Sequence, residues 1–247
     1  MTHTVTVTES GSDFFRYGKD RFLEEARTLA RFNEEPGIVK VRDYFEENNT
    51  AYIVMDYLEG ETLKHYVDTK GKIPADQLFE MMRPVIQTLG KVHEQGIIHR
   101  DISPDNIFVL PEGEVRLLDF GAARGLVKEE VKSSSVVVKR GYAPPEQYRS
   151  RKEQGCWTDV YALCATLYYC LTGKAPEESL ERLMNPDSRL IPPSELGAVI
   201  TLDQENVILR GMAIKSSERY SSMEELRKAI EGVRPVQCQY AGCLNRI

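Results

Sequence analysis

The feature that most constrains this chain is a pair of polar motifs near its middle. HRDISPDN at 99–106 contains the pattern H-R-D-x-x-x-x-N, and DFG follows at 119–121. Two short apolar runs, residues 107–110 and 115–118, lie between the motifs and flank a Pro-Glu-Gly turn. These runs predict a small antiparallel hairpin, which would return the chain so that Asp119 faces Asn106.

The residue types in these motifs suit the transfer of a phosphoryl group. Such a reaction needs a carboxylate that accepts or orients a hydroxyl proton, metal ligands that screen the phosphates, and rigid positioning. The two motifs in this order resemble the catalytic segment of protein kinases, and the resemblance implies that Asp101 is the base. It also implies that Asn106 and Asp119 offer oxygen ligands to Mg²⁺, with the phosphates of ATP and water completing its octahedron. Either motif alone would also fit a surface turn with a solvated Asp, whereas both in this order predict an active site.

Composition excludes several other classes of protein. The 32 basic and 38 acidic residues give a net charge of −6, which provides no basic field for a nucleic acid partner. No apolar run reaches the roughly 20 residues of a membrane-spanning helix, and the first ten residues do not form a secretory signal. The five cysteines, an odd number, argue against a disulfide framework. We therefore expect a cytoplasmic protein with no nucleic acid partner and no membrane segment in this chain.

Hydrophobic periodicity divides the chain into two parts. An amphipathic helix over residues 19–32 and a β-hairpin formed by residues 38–45 and 51–58 are predicted before Gly60. After Gly60 the pattern becomes helical. Further helices are predicted to open near 73–76 and to span 159–171, 205–212 and 223–230. The sequence thus predicts an α+β fold, with a small β-rich N-terminal part, a hinge near residues 57–60 and a larger helical C-terminal part.

Together, these motifs and their order resemble the eukaryotic-like Ser/Thr protein kinases of bacteria, over roughly residues 20–234. The resemblance implies a two-lobed protein-kinase-like fold. It divides the chain into a partial, incomplete N-lobe at 1–58 (one helix and a strand pair), a mainly helical C-lobe at 59–234 and a tail at 235–247. It also implies that ATP and Mg²⁺ are the cofactors and that the substrate is a protein.

Two further pairings follow from the resemblance. Pro144-Pro145-Glu146 stands where the family has Ala-Pro-Glu, and Arg219 occupies the position of the buried arginine with which that glutamate pairs. Asp159 matches the aspartate that braces the backbone of the HRD motif. The alternatives are that Glu146 and Arg219 are unrelated surface charges, and that Asp159 only complements the dipole of its helix.

The resemblance also assigns residues to a nucleotide site. Glu25 matches the glutamate of the N-lobe helix, and Met55 matches the gatekeeper residue. The backbone of Asp56 and Leu58 is implied to hydrogen-bond adenine, and Phe108 to form the apolar floor beneath it. The apolar members of this set are equally compatible with an ordinary core.

The chain departs from the family pattern at its beginning. No glycine-rich loop and no strand lysine precede Glu25, and the only lysine before that residue is Lys19. We expect that the sequence is an N-terminally truncated fragment. The alternative is a minimal kinase-like protein with impaired ATP binding.

The chain also departs from the family at two positions of the catalytic machinery. Ser103 stands where the family has the lysine that neutralises the transferring phosphate, and Lys139 stands where it has a threonine that contacts the catalytic Asp. Our hypothesis is that the two groups have exchanged places, so that Lys139 brings an ammonium to Asp101 and the γ-phosphate while Ser103 supplies the hydroxyl. The alternative is that Lys139 is a solvated loop residue.

The sequence therefore predicts an enzyme that transfers a phosphoryl group from ATP to Ser/Thr of protein substrates. The main alternative is a non-catalytic kinase-like scaffold, or pseudokinase, with weak or no nucleotide binding. A small-molecule phosphotransferase shares H-x-D-x-x-x-x-N, but the segment from Asp119 to Glu146, together with Arg219, favours a protein substrate.

Overall fold

The computed structural model describes residues 12–118, 124–125, 139–149, 153–185, 187–233 and 235. Its N-terminal part is one helix packed on a β-hairpin. Helix α1 spans Ser12–Ala30, and strands β1 (Val41–Glu47) and β2 (Thr50–Met55) pair antiparallel. The turn between the strands is Asn48-Asn49, with φ of 52° and 59°. Asparagine tolerates this left-handed region, which a two-residue hairpin turn requires.

The predicted N-terminal helix and hairpin are confirmed, with different ends. Strand β1 continues through Glu46 and Glu47, which the sequence assigned to the turn, because Asn48 and Asn49 alone reverse the chain. Helix α1 buries Leu23, Ala26 and Leu29. It also packs against the hairpin.

Residues 37–39 connect this N-terminal part to the rest of the molecule. Ile38 forms a parallel bridge with Leu117, whose amide donates to the carbonyl of Gly37 at 2.8 Å. A Cβ on Gly37 would lie 2.4 Å from the carbonyl oxygen of Pro84. Only glycine therefore allows the backbone to pass this close to the neighbouring helix.

The C-terminal part is mainly helical, as predicted. Its helices are α2 (Leu63–Lys70), α3 (Ala75–Glu94), α4 (Pro145–Arg149), α5 (Cys156–Thr172), α6 (Ser179–Met184), α7 (Leu202–Gly211) and α8 (Met223–Glu231). Its strands are β3 (Glu61–Thr62), β4 (Ile97–Ile98), β5 (Ile107–Val109), β6 (Val115–Leu117) and β7 (Arg124–Gly125). Strands β3, β5 and β6 form one antiparallel sheet in that order, and β4 pairs with β7.

Helix α5 is the centre of the core. It is apolar nearly all round, and every residue from Thr158 to Thr172 is buried, as expected for an interior helix. Helices α3, α7 and α8 contact it. The end of α7 comes very close, since a Cβ on Gly211 would lie 2.2 Å from the sulfur of Cys164. No helix in the described ranges has the length and hydropathy of a bilayer-spanning segment.

Candidate active site

The segment between β4 and β5 carries the HRD motif, and its backbone is held by one buried carboxylate. Asp159, in the first turn of α5, accepts hydrogen bonds from the amides of His99 and Arg100, both at 2.8 Å. Arg100 has a φ of +70°, a conformation that a non-glycine residue keeps only when its surroundings hold it there. The brace implied for Asp159 is thus present in the structure.

The brace is itself anchored by His93 on α3. Nε2 of this imidazole lies 2.8 Å from Oδ2 of Asp159. Burial alone would lower the pKa of His93, but the hydrogen bond to Asp159 and the contact with Cys156 raise it from 6.5 to about 9. For Asp159 the balance is the opposite. Burial alone would raise the pKa of this carboxyl, but the hydrogen bond and the charge of His93 lower it below its ordinary value. The two groups form a buried ion pair beneath the HRD segment.

Asp101 and Asn106 lie at the two ends of the tight loop that the brace supports. The side-chain nitrogen of Asn106 donates to both the backbone oxygen and Oδ2 of Asp101, each at 2.8 Å. Residues Pro104–Asn106 form a single 3₁₀ turn, which folds Asn106 back toward Asp101. The two side chains predicted to act together are therefore in direct contact.

The returning hairpin also forms as predicted. Strand β6 pairs with β5, and the amide of Leu118 donates to the carbonyl of Asn106 at 2.9 Å. The residue that precedes Asp119 therefore lies beside Asn106. Asp119 itself is outside the described residues.

Lys139 reaches into this loop from the other side. Its ammonium donates a 2.8 Å hydrogen bond to Oγ of Ser103. The same nitrogen lies 3.9 Å from Oδ1 of Asp101 and 3.9 Å from Oδ2 of Asp105. Ser103 is fully buried, while the side chain of Lys139 is 32% exposed. The structure therefore brings together the hydroxyl and the ammonium that the sequence suggested had exchanged places.

The chain that follows Lys139 is fixed by a second buried ion pair. Arg219 donates to Glu146 at 2.7 and 3.1 Å, and Thr158 donates to the same carboxylate at 3.1 Å. Arg219 also donates to the backbone carbonyls of Ala213 and Ile214. Because the polar atoms of the pair have several partners, the surface-charge alternative does not apply.

A further contact of this segment had no signal in the sequence. Gln147, next to Glu146, donates to the carbonyl of Arg100 at 2.8 Å. It links α4 directly to the HRD backbone. An exposed-looking glutamine in a polar stretch gives no indication of such a contact, because its partner lies 47 residues away.

The residues proposed for the nucleotide site lie along β2, the hinge and β5. Asp56 uses its amide in a 3.0 Å bond to the carbonyl of Lys40. The hinge then passes close over β5, since a Cβ on Gly60 would lie 3.0 Å from the ring of Phe108. Leu58 and Phe108 are half-buried, and Met55 is 46% exposed. Gly60 of the predicted hinge and Phe108 of the predicted floor are thus adjacent.

Two further residues that were singled out in the sequence, Glu25 and Lys19, lie in helix α1. Glu25 lies in α1, but its side chain is outside what the structure describes. Lys19, on the same helix, forms a 2.6 Å ion pair with Glu46 of β1. This ion pair joins the helix to the hairpin.

Comparison with known proteins agrees with this geometry. The family model described as the protein kinase domain matches residues 8–223. The chain is 34% identical to the serine/threonine-protein kinase PknB of Mycobacterium leprae, over 84% of this chain and 35% of that protein. It is 31% identical to a "probable serine/threonine-protein kinase" of Clostridium acetobutylicum, over 87% of this chain and 33% of that protein.

A solved structure shows the same fold. PpkA-294 in its apo form superposes with a TM-score of 0.78 at 32% identity, covering 92% of this chain and 79% of that one. The chain spans about a third of the length of the curated relatives that it matches. With the family model matching most of its residues and with an α+β, two-lobed architecture, the chain belongs to the protein kinase domain family.

Proposed function

We propose that this chain transfers the γ-phosphoryl group of ATP to serine and threonine hydroxyls of protein substrates. The observation that carries this proposal is the direct contact of Asp101 with Asn106 on a loop whose backbone is held by Asp159. The matched relatives are named serine/threonine-protein kinases, which supports the same reaction.

Asp101 is the proposed base. Oδ2 of its carboxylate is held by Asn106, and Oδ1 lies on the side of Lys139. The side chain is 30% exposed, so a substrate hydroxyl can reach it. A carboxylate fixed in this way orients the attacking hydroxyl and accepts its proton.

The residues present fit a magnesium ion bound with ATP. Because Nδ2 of Asn106 makes both bonds to Asp101, the amide oxygen Oδ1 is the atom that Asn106 can offer to a cation. Amide and carboxylate oxygens are the ligands that Mg²⁺ prefers. We propose Asn106 and Asp119 as the metal ligands. When bound, the ion screens the negative charge of the phosphates.

Lys139 and Ser103 are proposed as further members of the catalytic site. An ammonium carries three donors, and the bond to Ser103 uses one of them. The remaining donors can bind a phosphate oxygen above Asp101. The buried hydroxyl of Ser103 holds the lysine side chain in this direction, and charge that develops on the transferring group is stabilised by the preorganised cation.

We propose that adenine binds between the hinge and β5. Since the amide of Asp56 is bonded to Lys40, its carbonyl and the amide of Leu58 are the hinge groups proposed to bond the base. Phe108 is proposed as the apolar floor beneath the adenine, and Met55 as the gatekeeper residue of the same site.

A protein substrate, not a nucleic acid, agrees with the net charge of −6. A cytoplasmic location agrees with Cys156, Cys164 and Cys170, which are free thiols. Both are proposals, as are the nucleotide and protein partners of the whole protein.

The experiment is a phosphoryl-transfer assay with radiolabelled ATP, Mg²⁺ and casein. The proposal predicts label on serine and threonine and none on tyrosine. Nucleotide binding without any transfer would contradict it and support the non-catalytic alternative. Transfer to a small molecule but not to protein would support the phosphotransferase alternative.

A further inference from the structure

A groove with an apolar lining lies between helices α3 and α8. Its cavity has a volume of about 410 Å³, many times the roughly 30 Å³ that one water molecule occupies. Phe79 and Ile86 in its lining are buried, whereas Ile230 and Val233 are only partly buried. The groove therefore leaves apolar side chains that the described residues cover incompletely.

The charged side chains at this groove are already paired within their own helices. Arg83 donates to Glu80 on α3. On α8, Arg227 donates to Glu224 at 2.7 Å and to Glu231 at 2.7 Å. A charged ligand would have to compete with these pairs or enter the groove with its own charge unpaired, which is costly. We therefore expect an occupant that is mainly apolar and carries little charge.

The last described residue is part of the groove. Met223, at the start of α8, has its Cβ 3.9 Å from the position of a Cβ on Gly90 of α3. Pro235, beyond the end of α8, instead lines the groove together with Phe79, near the start of α3. Helices α3 and α8 thus run antiparallel, and the residues that follow Pro235 leave from the wall of the groove itself.

The sequence after Pro235 has the pattern of a short amphipathic helix. Its apolar side chains recur at helical spacing, at Val236, Tyr240, Cys243, Leu244 and Ile247. As a helix, residues 236–247 would be about 18 Å long, and the part of α3 that lines the groove, from Asp76 to Ile86, is about 15 Å long. The one charged side chain of this segment, Arg246, lies outside the apolar stripe.

We propose that residues 236–247 dock as a helix in the groove between α3 and α8 of the same chain, with the apolar stripe against Phe79 and Ile230. A helix of this length is marginal in water, and Gly242 lowers its helix propensity further. Its formation therefore depends on the apolar surface that it buries in the groove. Docking joins the end of α8 to the first half of α3.

Two cysteines of the segment allow a direct test. On a helix, Cys243 lies on the apolar stripe and Cys238 on the opposite face. The full chain is treated with N-ethylmaleimide, and each rate, measured by mass spectrometry, is divided by the rate in the urea-unfolded chain. Cys243 should react at least about tenfold more slowly than Cys238, because the docked helix must open before this thiol is reached. Equal normalised rates overturn the proposal.

A pair of double variants tests whether the apolar stripe is responsible. Tyr240→Ala with Leu244→Ala removes two large side chains of the stripe and should abolish the protection of Cys243. Gln239→Ala with Asn245→Ala, on the other face of the helix, is the matched control and should keep that protection. Loss of protection in both double variants, or in neither, overturns the proposal.

Amide hydrogen exchange tests the docking site from the side of the groove. In the variant with Tyr240→Ala and Leu244→Ala, residues 227–233 should exchange about fivefold faster than in the wild type, since local opening becomes easier when packing is lost. The β1–β2 hairpin is the internal control and should not change. Unchanged exchange over residues 227–233, or an equal rise in the hairpin, overturns the assignment of the groove.

Protein concentration distinguishes docking within one chain from exchange between two copies. The protection of Cys243 should be the same at about 1 μM and about 100 μM protein, because an intramolecular contact does not depend on concentration. Protection that increases with concentration would indicate that the segment of a second copy occupies the groove, and it would overturn the proposal. None of these readouts needs phosphoryl transfer, so this proposal and the proposed function fail separately.

Discussion

The ammonium of Lys139 donates a hydrogen bond of 2.8 Å to the buried hydroxyl of Ser103, 36 residues earlier in the chain. The contact places a positive charge 3.9 Å from Asp101. A solvated loop lysine would not be expected to hold a buried serine. The geometry that the exchange hypothesis requires is therefore present, and the catalytic role of the lysine stays a prediction.

Removal of that charge should slow the chemical step. Lys139→Ala is expected to lower kcat by about 10²–10³-fold, the usual loss for one preorganised electrostatic group, with little change in KM for the protein substrate. Arg140→Ala is the matched control, because that neighbouring cation is 86% exposed and should leave kcat nearly unchanged. Equal kcat values for Lys139→Ala and Arg140→Ala would contradict the assignment.

The reciprocal exchange separates a catalytic role from a structural one. Lys139→Thr and Ser103→Lys are each expected to be slow. The double variant should recover to within about tenfold of the wild type, since it restores one ammonium and one hydroxyl to the same space. Steady-state kinetics of the four proteins measures this. A double variant as slow as the worse single variant would count against the exchange.

The buried pair of Glu146 and Arg219 should matter chiefly for stability. Glu146→Gln leaves the guanidinium without its charged partner and is expected to cost about 3 kcal/mol in the free energy of unfolding, measured by urea titration. The exposed pair of Arg189 and Glu195 is the control, and Arg189→Ala should change the free energy of unfolding by less than about 0.5 kcal/mol. Similar effects of the two substitutions would contradict the burial argument.

The pair of His93 and Asp159 should make stability depend on pH. The pKa of His93 is about 9 in the folded protein against an ordinary 6.5. The folded state thus holds the proton more tightly, and this stabilisation is fully present below about pH 6.5 and lost as pH rises through about 9. We expect the wild type to lose up to about 3 kcal/mol more than His93→Gln across this interval. The free energy of unfolding of both proteins is measured by urea titration at each pH. If it changes with pH in the same way in the wild type and in His93→Gln, the account is contradicted.

The proposed metal ligand can be tested by magnesium titration. Asn106→Ala removes the proposed oxygen ligand and the hydrogen bonds to Asp101. It should raise the Mg²⁺ concentration for half-maximal transfer by about tenfold or more, and chelation of Mg²⁺ should abolish transfer by the wild type. A variant with unchanged Mg²⁺ dependence would remove Asn106 from the metal site.

Much of this molecule was predictable from local pattern. Helix α5 and the β5–β6 hairpin follow from apolar periodicity and a Pro-Glu-Gly turn. The ends of elements were less accurate: α1 begins at Ser12 and runs through Gly18, a residue type that disfavours a helix interior and so indicated a later start. Strand β3 is only two residues long and exists through its pairing with β5, so no local signal marks it.

Among the side chains of the site, those within one local motif were predictable, and those whose partners are distant in the sequence were not. Asp101 and Asn106 are recognisable because they sit within one motif. His93 was not, because it lies in an amphipathic helix and meets Asp159 66 residues later. Such contacts arise from the packing of α3 on α5, which the order of residues along the chain does not display.

The most direct test of the central claim is kcat for phosphoryl transfer to a protein by the wild type and by Asp101→Asn. This substitution keeps the size of the side chain and removes the base. The account predicts label on serine and threonine with the wild type and a fall in kcat of about 10²–10⁴-fold in the variant, the range for loss of a general base. Transfer by Asp101→Asn at the wild-type rate would contradict it.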